Sequence, residues 1–437
     1  MQPQYQAFSD RRQQLSCRLK PGVVIIPTSA EVARNAASTY PYRFDSNFYY
    51  LSGFAEPEAV LVLVIGEDKL ENLLFCREKD EEREIWDGYR YGPDAAAEAF
   101  GFDAAHPVAE LDAKLADILK NQPRVYFPFG QDAGWDRRLA GWLDAVRAQS
   151  RAGVRAPAEI VDIRGTLHEM RLFKDAHEIA LLHHAGRINS AAHVRAMRAI
   201  KPGLVEYEIE AEFLHEFCRH GSRFPAYGSI VASGPNACVL HYVENNRRMQ
   251  DGDLLLIDAG CELDGYASDI TRTLPVSGRF SAAQKEIYEI TLAAHQAAFD
   301  LARPGVAWNE VHDAATRVLA QGMIDLGLLQ GSLDAVLESG SYRQFYMHRT
   351  SHWLGLDVHD VGEYKVGDEW RKLEPGMVFT IEPGFYIRPA ANVPKHLENI
   401  GVRIEDDVLI TAEGHECLTA LCPRTVAAIE AEMASCD

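Results

Sequence analysis

Two stretches of the chain, "LLLIDAG" (Leu254–Gly260) and "VFTIEPG" (Val378–Gly384), share one pattern: an apolar run that ends in an acid and then in glycine. The acids Asp258 and Glu382 lie 124 residues apart (382−258 = 124), and the final glycines have the same offset (384−260 = 124). Apolar residues would normally continue a buried strand, so an acid at the same place in both runs is unusual. The constant offset predicts a duplicated strand-plus-helix unit in the second part of the chain.

Composition excludes several classes of function. The chain has 437 residues and a formal charge of −20 (44−64), which argues against a nucleic-acid or anionic membrane partner and favours a small or peptide-like substrate. No run approaches the ~18 apolar residues of a membrane span, and no apolar segment follows Arg11 and Arg12 as it would in a secretory signal. The eight cysteines form no Cys-x-x-Cys pair, which is typical of a reducing compartment. We therefore expect a cytoplasmic protein.

The distribution of apolar runs predicts two domains. Between residues 22 and 165, strand-like runs such as "GVVIIP" and "AVLVLVIG" alternate with alanine-rich helical stretches, which is the pattern of an α/β domain. After a proline-punctuated junction, Asp175 is the predicted N-cap of a long helix, with Glu178 three residues on. We place the first domain at residues 1–170 and the second at residues 171–437.

Four acids of the second domain are predicted to converge. Side chains alternate across a strand, so Asp269 shares a face with Thr271 in "YASDITRT", and Glu405 shares a face with Arg403 in "GVRIEDD". With the two repeated acids, they would place four carboxylates in one cleft, where mutual repulsion requires a cation. Each acid alone could equally be a strand-end or turn residue. The pattern as a whole predicts a divalent metal site.

Histidines form a second cluster in "MHRTSHWLGLDVHDVG", which holds His348, His352 and His359. Glycines and aromatic residues around them predict a loop, where binding residues concentrate. His241 in "PNACVLHYVENN" has a weaker case, because an interior histidine would fit the same pattern.

The motifs "HYVENN", "DAGCELDGYASDITRT", "SHWLGLDVHD", "TIEPGFYI" and "GVRIEDD", in this order, resemble the proline-specific aminopeptidase P group of the pita-bread metallopeptidases. This group is related to prolidase and methionine aminopeptidase. The segments "YPYRFDSNFYYLSGFAEPEAVLVL" and "EIWDGYRYG" also resemble its first domain. The resemblance implies an α/β N-terminal domain followed by an α+β pita-bread catalytic domain with an internal pseudo-twofold duplication.

The resemblance also implies roles for individual residues. Two metal ions would be bound by five side chains, of which Asp269 and Glu405 bridge: Asp258, Asp269, His352, Glu382 and Glu405. Four carboxylates and one imidazole suit Mn²⁺, with Co²⁺ or Zn²⁺ as substitutes. His241, His348 and His359 would line the substrate site, and Glu382 would also accept a proton. Arg403 would either orient a carboxylate or form a buried structural ion pair.

The implied activity is that of an Xaa-Pro aminopeptidase, a hydrolase that releases the N-terminal residue from peptides with proline second. Prolidase, which prefers dipeptides, is the alternative enzyme, and a non-catalytic pita-bread binding module is the alternative outside enzymology. The group forms homo-oligomers, dimers or tetramers, in which an aromatic residue like Trp86 approaches a neighbour's active site; alternatively Trp86 packs within its own domain. Arg349 stands where some relatives have glycine, at the edge of the leaving-group pocket.

Overall fold

The computed structural model describes residues 5–435. Its contacts divide the chain into two compact units, with the division after Arg171. Each unit has its own buried apolar core. Within residues 5–435, no helix combines the length and the apolar composition needed to cross a membrane.

The N-terminal unit is an α/β layer structure. A six-stranded mixed sheet has the order β6-β5-β4-β1-β7-β8, in which β1 pairs antiparallel with β4 and parallel with β7. Helix α7 reaches the division between the units. The elements are α1 (Tyr5–Arg18), β1 (Gly22–Pro27), β2 (Ala33–Asn35), β3 (Ser38–Thr39), α2 (Ser46–Ser52), β4 (Val60–Ile65), β5 (Leu70–Cys76), α3 (Glu81–Asp87), α4 (Gly92–Phe100), β6 (Ala104–Pro107), α5 (Leu111–Ile118), β7 (Arg124–Phe127), α6 (Ala133–Arg147), β8 (Glu159–Asp162) and α7 (Arg164–Leu172).

Helix α3 leaves large apolar side chains in solvent. Trp86 is 84% exposed, Ile85 is 81% exposed, and Tyr89, just after the helix, is 92% exposed. The alternative that Trp86 packs within its own domain is therefore wrong. Such side chains are usually buried, and a cluster of them on a surface indicates a contact with another molecule.

The C-terminal unit alternates long helices with small antiparallel sheets. Asp175 and Glu178 form the predicted capping box at the start of α8. The elements are α8 (Ala176–Ala199), α9 (Glu206–Arg219), β9 (Phe224–Pro225), β10 (Ile230–Ser233), β11 (Leu254–Ala259), β12 (Cys261–Leu263), β13 (Tyr266–Ala267), β14 (Ile270–Pro275), α10 (Ala282–Leu301), α11 (Trp308–Asp325), α12 (Leu333–Ser339), β15 (Lys365–Val366), β16 (Glu369–Trp370), β17 (Val378–Ile381), β18 (Gly384–Ile387), β19 (Ile400–Arg403), β20 (Asp406–Ile410), β21 (His415–Cys417) and α13 (Val426–Ala434).

The repeated sequence corresponds to a repeated structure. Strand β11 pairs antiparallel with β14, and β17 pairs antiparallel with β20. In both pairs an acid lies within one residue of the end of the first strand and another acid directly precedes the second strand, so that each pair presents two carboxylates at one end. A backbone bridge between Thr271 and Glu405 joins the two pairs at that end. The duplication therefore brings all four carboxylates to one place.

The continuous strand expected over "GVRIEDD" is interrupted. β19 ends at Arg403 and β20 begins at Asp406, because β19 pairs with β18 whereas β20 pairs with β17. Between them, the Glu405 amide donates to the Thr271 carbonyl at 3.0 Å. The simple alternation of faces used for Arg403 and Glu405 therefore does not apply, although both side chains still point toward the same cavity.

Candidate metal centre and active site

All nine predicted site residues lie on the wall of one cavity of about 910 Å³. Asp258 is near the end of β11, and Asp269 lies directly before β14, where antiparallel pairing places Ala259 opposite Ile270. The Tyr227 hydroxyl lies within hydrogen-bonding distance of both Asp258 Oδ1, at 2.7 Å, and Asp269 Oδ1, and its single hydrogen is shared between them. One phenol thus holds both carboxylates of the first strand pair.

The second strand pair supplies Glu382 and Glu405. The Glu382 amide donates to the Thr350 carbonyl at 2.7 Å, which fixes the backbone as it leaves β17. The Glu405 carboxylate is 1% exposed, and its Oε2 accepts from the Thr271 hydroxyl at 2.6 Å. Its other oxygen, Oε1, is buried and has no hydrogen-bond partner among residues 5–435. A buried carboxylate oxygen without a donor is costly unless a cation binds it.

His352 is oriented for metal binding. Its Nδ1 lies 3.0 Å from the Trp353 carbonyl and donates to it, so that Nε2 is directed toward the carboxylates and is the nitrogen available to a metal once it has lost its proton. Nε2 is 3.5 Å from Asp269 Oδ2 and 3.7 Å from Glu382 Oε1. Ligand atoms of Asp269, His352 and Glu405 all lie within 4.8 Å of one another. Such spacing allows one divalent ion to contact all three side chains.

The electrostatics of the cluster also fit a cation. Burial, together with the neighbouring carboxylates, raises the pKa of Glu405 well above its ordinary value. Burial likewise raises the pKa of Glu382 to about 7 and raises the pKa of Asp258. Four ionised carboxylates cannot share this site without compensating charge, and a divalent ion reverses these shifts. The oxygen-rich donor set with one imidazole is the kind that binds Mn²⁺ and similar ions.

Arg403 combines the two roles considered for it. It is 3% exposed, and its Nη2 donates to Asp258 Oδ2 at 2.7 Å. Nη1 donates to the Tyr386 hydroxyl at 2.9 Å, and Nε donates to Thr271 Oγ1 at 3.2 Å. The guanidinium is thus a buried ion-pair partner that also holds one candidate ligand in place.

The other three histidines surround the carboxylates. His348 Nε2 lies 2.8 Å from the Tyr386 hydroxyl, and its Nδ1 lies 3.6 Å from Glu382 Oε2. The His359 ring packs edge-on against His352, with 4.3 Å between centroids. His241 is exposed to the cavity, so it is not an interior histidine. Burial and the charge of Arg403 lower the pKa of His348 to about 3, which keeps this imidazole neutral at physiological pH.

Two tyrosines of the site were missed from the sequence. Tyr227 precedes β10 and Tyr386 lies on β18, and neither occurs in a spacing that distinguishes it from a core aromatic. The role of Thr271 could have been found, because its predicted shared face with Asp269 already placed it beside the acids. These three hydroxyls connect the carboxylates with Arg403 and His348.

Comparisons with known proteins agree with this geometry. The family model for metallopeptidase family M24 matches residues 180–412, and the model for the aminopeptidase P N-terminal domain matches residues 8–126. An Xaa-Pro aminopeptidase of Escherichia coli is 48% identical over 98% of this chain and 97% of its own length. The chain belongs to the Xaa-Pro aminopeptidases of family M24. An Xaa-Pro aminopeptidase of Haemophilus influenzae is 45% identical over 97% of this chain and 96% of its own length.

Solved structures extend the similarity to three dimensions. The aminopeptidase PepP of Pseudomonas aeruginosa matches with a TM-score of 0.97 and 50% identity, over 99% of this chain and 98% of that one. A zinc-substituted Escherichia coli aminopeptidase P in complex with product matches with a TM-score of 0.97 and 47% identity, over 100% of both chains. The predicted family, the predicted fold of an α/β domain followed by a duplicated pita-bread domain, and the predicted enzyme class are confirmed for this M24 peptidase.

Proposed function

We propose that this M24 peptidase uses the carboxylate cluster and the surrounding histidines to release the N-terminal residue from peptides whose second residue is proline. The observation that carries the proposal is the convergence of five metal-ligating side chains, including the unpartnered Glu405 Oε1, on one cavity. The near-full-length relatives are named Xaa-Pro aminopeptidases, which favours this activity over prolidase. The intact ligand set argues against a non-catalytic binding module.

The proposed cofactor is a pair of divalent ions, Mn²⁺ first, with Co²⁺ or Zn²⁺ as substitutes. Asp269 and Glu405 would bridge, and Asp258, His352 and Glu382 would complete the set; one related structure is of a zinc-substituted enzyme. Bound metals would supply Lewis acidity to the scissile carbonyl and would lower the pKa of the attacking water toward roughly 7. The hard oxygen donors of the four acids support this assignment.

The remaining chemistry is assigned to the chain's own residues. Glu382 would accept the proton of the attacking water and deliver it to the leaving proline nitrogen, which has no hydrogen of its own in the peptide. His241 or His359 would donate a hydrogen bond to the oxygen that gains charge, where one donor contributes about 3 kcal/mol. Arg403 would keep Asp258 in position, and His348 would contact the substrate side.

The direct test of specificity compares four peptides with Mn²⁺ present: Xaa-Pro-Xaa, Xaa-Pro, Xaa-Ala-Xaa and N-acetylated Xaa-Pro-Xaa. We expect the first to be cleaved about 10²-fold faster than the alanine peptide, because a pocket shaped for a proline ring excludes extended chains. The acetylated peptide should be inert, because the free amine sets the distance from the chain start to the metals.

Each alternative function predicts a different pattern of peptide cleavage. Preferential cleavage of the Xaa-Pro dipeptide would assign the chain to prolidase. Equal rates with the alanine or the acetylated peptide would contradict the proposed specificity. No cleavage of any peptide by metal-loaded protein would favour the binding module.

The histidine assignments have their own test. His348→Ala and His359→Ala should each lower kcat about 10²-fold, as expected for loss of a group that contacts the reacting atoms, without loss of metal or thermal stability. His184→Ala, at a half-buried position of α8 outside the cavity, is the matched control and should behave as wild type. Metal loss in the two test variants would show instead that these histidines are ligands or core residues.

We also propose an oligomeric state, a location and a domain division. The exposed aromatic surface of α3, with Trp86 at 84% and Ile85 at 81% exposure, favours a homo-oligomer, dimer or tetramer, whose mass sedimentation would measure. The described cysteines are all free thiols, including the exposed Cys17 and Cys218, which favours a cytoplasmic location. The contact division after Arg171 supports treating residues 1–170 and 171–437 as the two domains.

A further inference from the structure

The loop that carries His241 has no regular secondary structure. Residues 239–247 follow a short 3₁₀ turn and contain neither helix nor strand. Leu240, His241 and Val243 of this loop line the cavity, whereas Tyr242 between them is buried on the opposite side. Backbone hydrogen bonds hold only the ends of this loop, where the Val239 amide donates to the Asn236 carbonyl and the Arg247 carbonyl accepts from the Glu206 amide. The part between them needs side-chain anchors if it is to hold a histidine in one position.

The main anchor is Glu206, the first residue of α9. It is 0% exposed, and among residues 5–435 it forms no salt bridge. Its Oε2 accepts from the Tyr242 hydroxyl at 2.8 Å and from the Arg247 amide at 2.9 Å. These two donors bracket the segment that follows His241. The carboxylate therefore fixes the loop at both ends of residues 242–247.

The second oxygen of Glu206 fixes the segment that leads into the loop. Oε1 accepts from the Ser233 amide at 2.7 Å, from the Ser233 hydroxyl at 2.7 Å and from Asn236 Nδ2 at 3.3 Å. Five donors on two oxygens, at a helix N-terminus, account for the stability of a buried carboxylate without a cation. One side chain thus holds the chain on both sides of His241.

Glu206 is not required to cap the helix. Glu208 performs that function, since its carboxylate accepts from the Val205 amide at 2.7 Å. Asn245 adds a separate anchor to β10: its Nδ2 donates to the Ser229 carbonyl at 2.8 Å, and its Oδ1 accepts from the Val231 amide at 3.0 Å. The buried contacts of Glu206 are directed to the His241 loop and the turn before it, and not to the helix.

We propose that Glu206 is a positioning residue that holds His241 against the cavity. The inference rests on the proposed function, because it takes His241 to act on the substrate. Among residues 5–435, the Glu206 carboxylate has no hydrogen bond to the carboxylate cluster, and Glu206 does not line the cavity. Its replacement should therefore affect turnover only through the placement of His241.

A double-mutant cycle on the metal-loaded enzyme tests this inference. Glu206→Gln keeps the shape but puts an amide among groups that all donate, so the loop should shift and kcat/KM should fall by about 10²-fold, as small misplacements do. In the His241→Ala background, Glu206→Gln should lower kcat/KM by less than about twofold, because the imidazole that Glu206 positions is absent. Glu208→Gln on the same helix end is the matched control and should retain wild-type kcat/KM.

Melting temperature and metal content are measured on every variant. If Glu206→Gln does not fold, Tyr242→Phe takes its place in the cycle, because it removes one donor to Glu206 and leaves the carboxylate. Equal losses in both backgrounds would overturn the inference and leave Glu206 a general stability residue. Wild-type kcat/KM in Glu206→Gln would overturn it as well. Full activity in His241→Ala alone would instead refute the assigned role of His241, and with it the inference.

Discussion

Replacement of Glu405 by glutamine is expected to remove most of the bound metal and nearly all peptidase activity. Glu405 is the residue at which the two strand pairs meet, and its Oε1 is buried with no hydrogen-bond partner in the part of the chain that the structure describes. Glutamine can keep the contact with Thr271 or offer an oxygen to a metal, but its amide nitrogen then faces the other acids. Since changes even in the groups that only support a ligand cost about 10–100-fold in metal affinity, loss of a bridging ligand should cost at least that much.

In the metal-free protein, the same replacement of Glu405 is expected to maintain or raise thermal stability. Burial and repulsion raise the pKa of Glu405, so the neutral amide relieves an unfavourable interaction when no cation is present. We expect the melting temperature of chelator-treated Glu405→Gln to equal or exceed that of chelator-treated wild type. Glu413→Gln, an exposed change in the same unit, is the control. Wild-type metal content and turnover in Glu405→Gln would contradict the ligand assignment.

Replacement of Glu382 by glutamine is expected to have the second large effect on peptidase activity. Glu382 lies between His352, 3.7 Å away, and His348, 3.6 Å away, which places one carboxylate between the proposed metals and the substrate side. Loss of both the ligand and the proton acceptor should lower kcat by about 10³-fold, within the range of general acid–base catalysis. Glu374→Gln, at an exposed position shortly before β17, is the matched control.

Metal titration separates the two functions of Glu382. If it were only a ligand, saturating Mn²⁺ would refill the weakened site and restore turnover to the wild-type level. We expect turnover to stay low at saturating Mn²⁺, because glutamine cannot accept the proton of the attacking water. Restoration to within about threefold of wild type would contradict the role in proton transfer.

The sequence predicted the repeated carboxylates because Asp258 and Glu382 have equivalent places in two similar strands. Asp258 and Glu382 lie within one residue of the ends of equivalent strands, and antiparallel pairing places Asp269 and Glu405, which directly precede the partner strands, beside them. The repeat is visible in the sequence, whereas the antiparallel pairing that brings the second acid of each pair into place is seen only in the structure. The same reasoning identified the fold of the second unit as a duplication.

Contacts between distant segments could not be predicted in this way. The break between Arg403 and Asp406 arises because the chain moves from one sheet to another, which depends on the positions of β17 and β18. Tyr227 lies before β10 and Tyr386 lies on β18. Their positions in the sequence do not distinguish them from aromatic residues of the core. The Glu206 carboxylate anchors the His241 loop through Tyr242, which lies 36 residues further along the chain. No local sequence pattern predicts this contact.

Metal content measured together with turnover tests the central claim most directly. Chelator-stripped protein would be refilled stepwise with Mn²⁺, and bound Mn²⁺ per chain would be determined on the samples used to assay Xaa-Pro-Xaa cleavage. We expect no cleavage without metal, and at saturation two ions per chain with full turnover, as for a two-metal hydrolase. Full turnover in metal-free protein, or saturation without any ion bound at the carboxylate cluster, would contradict the assignment of the repeated strands as a shared metal centre.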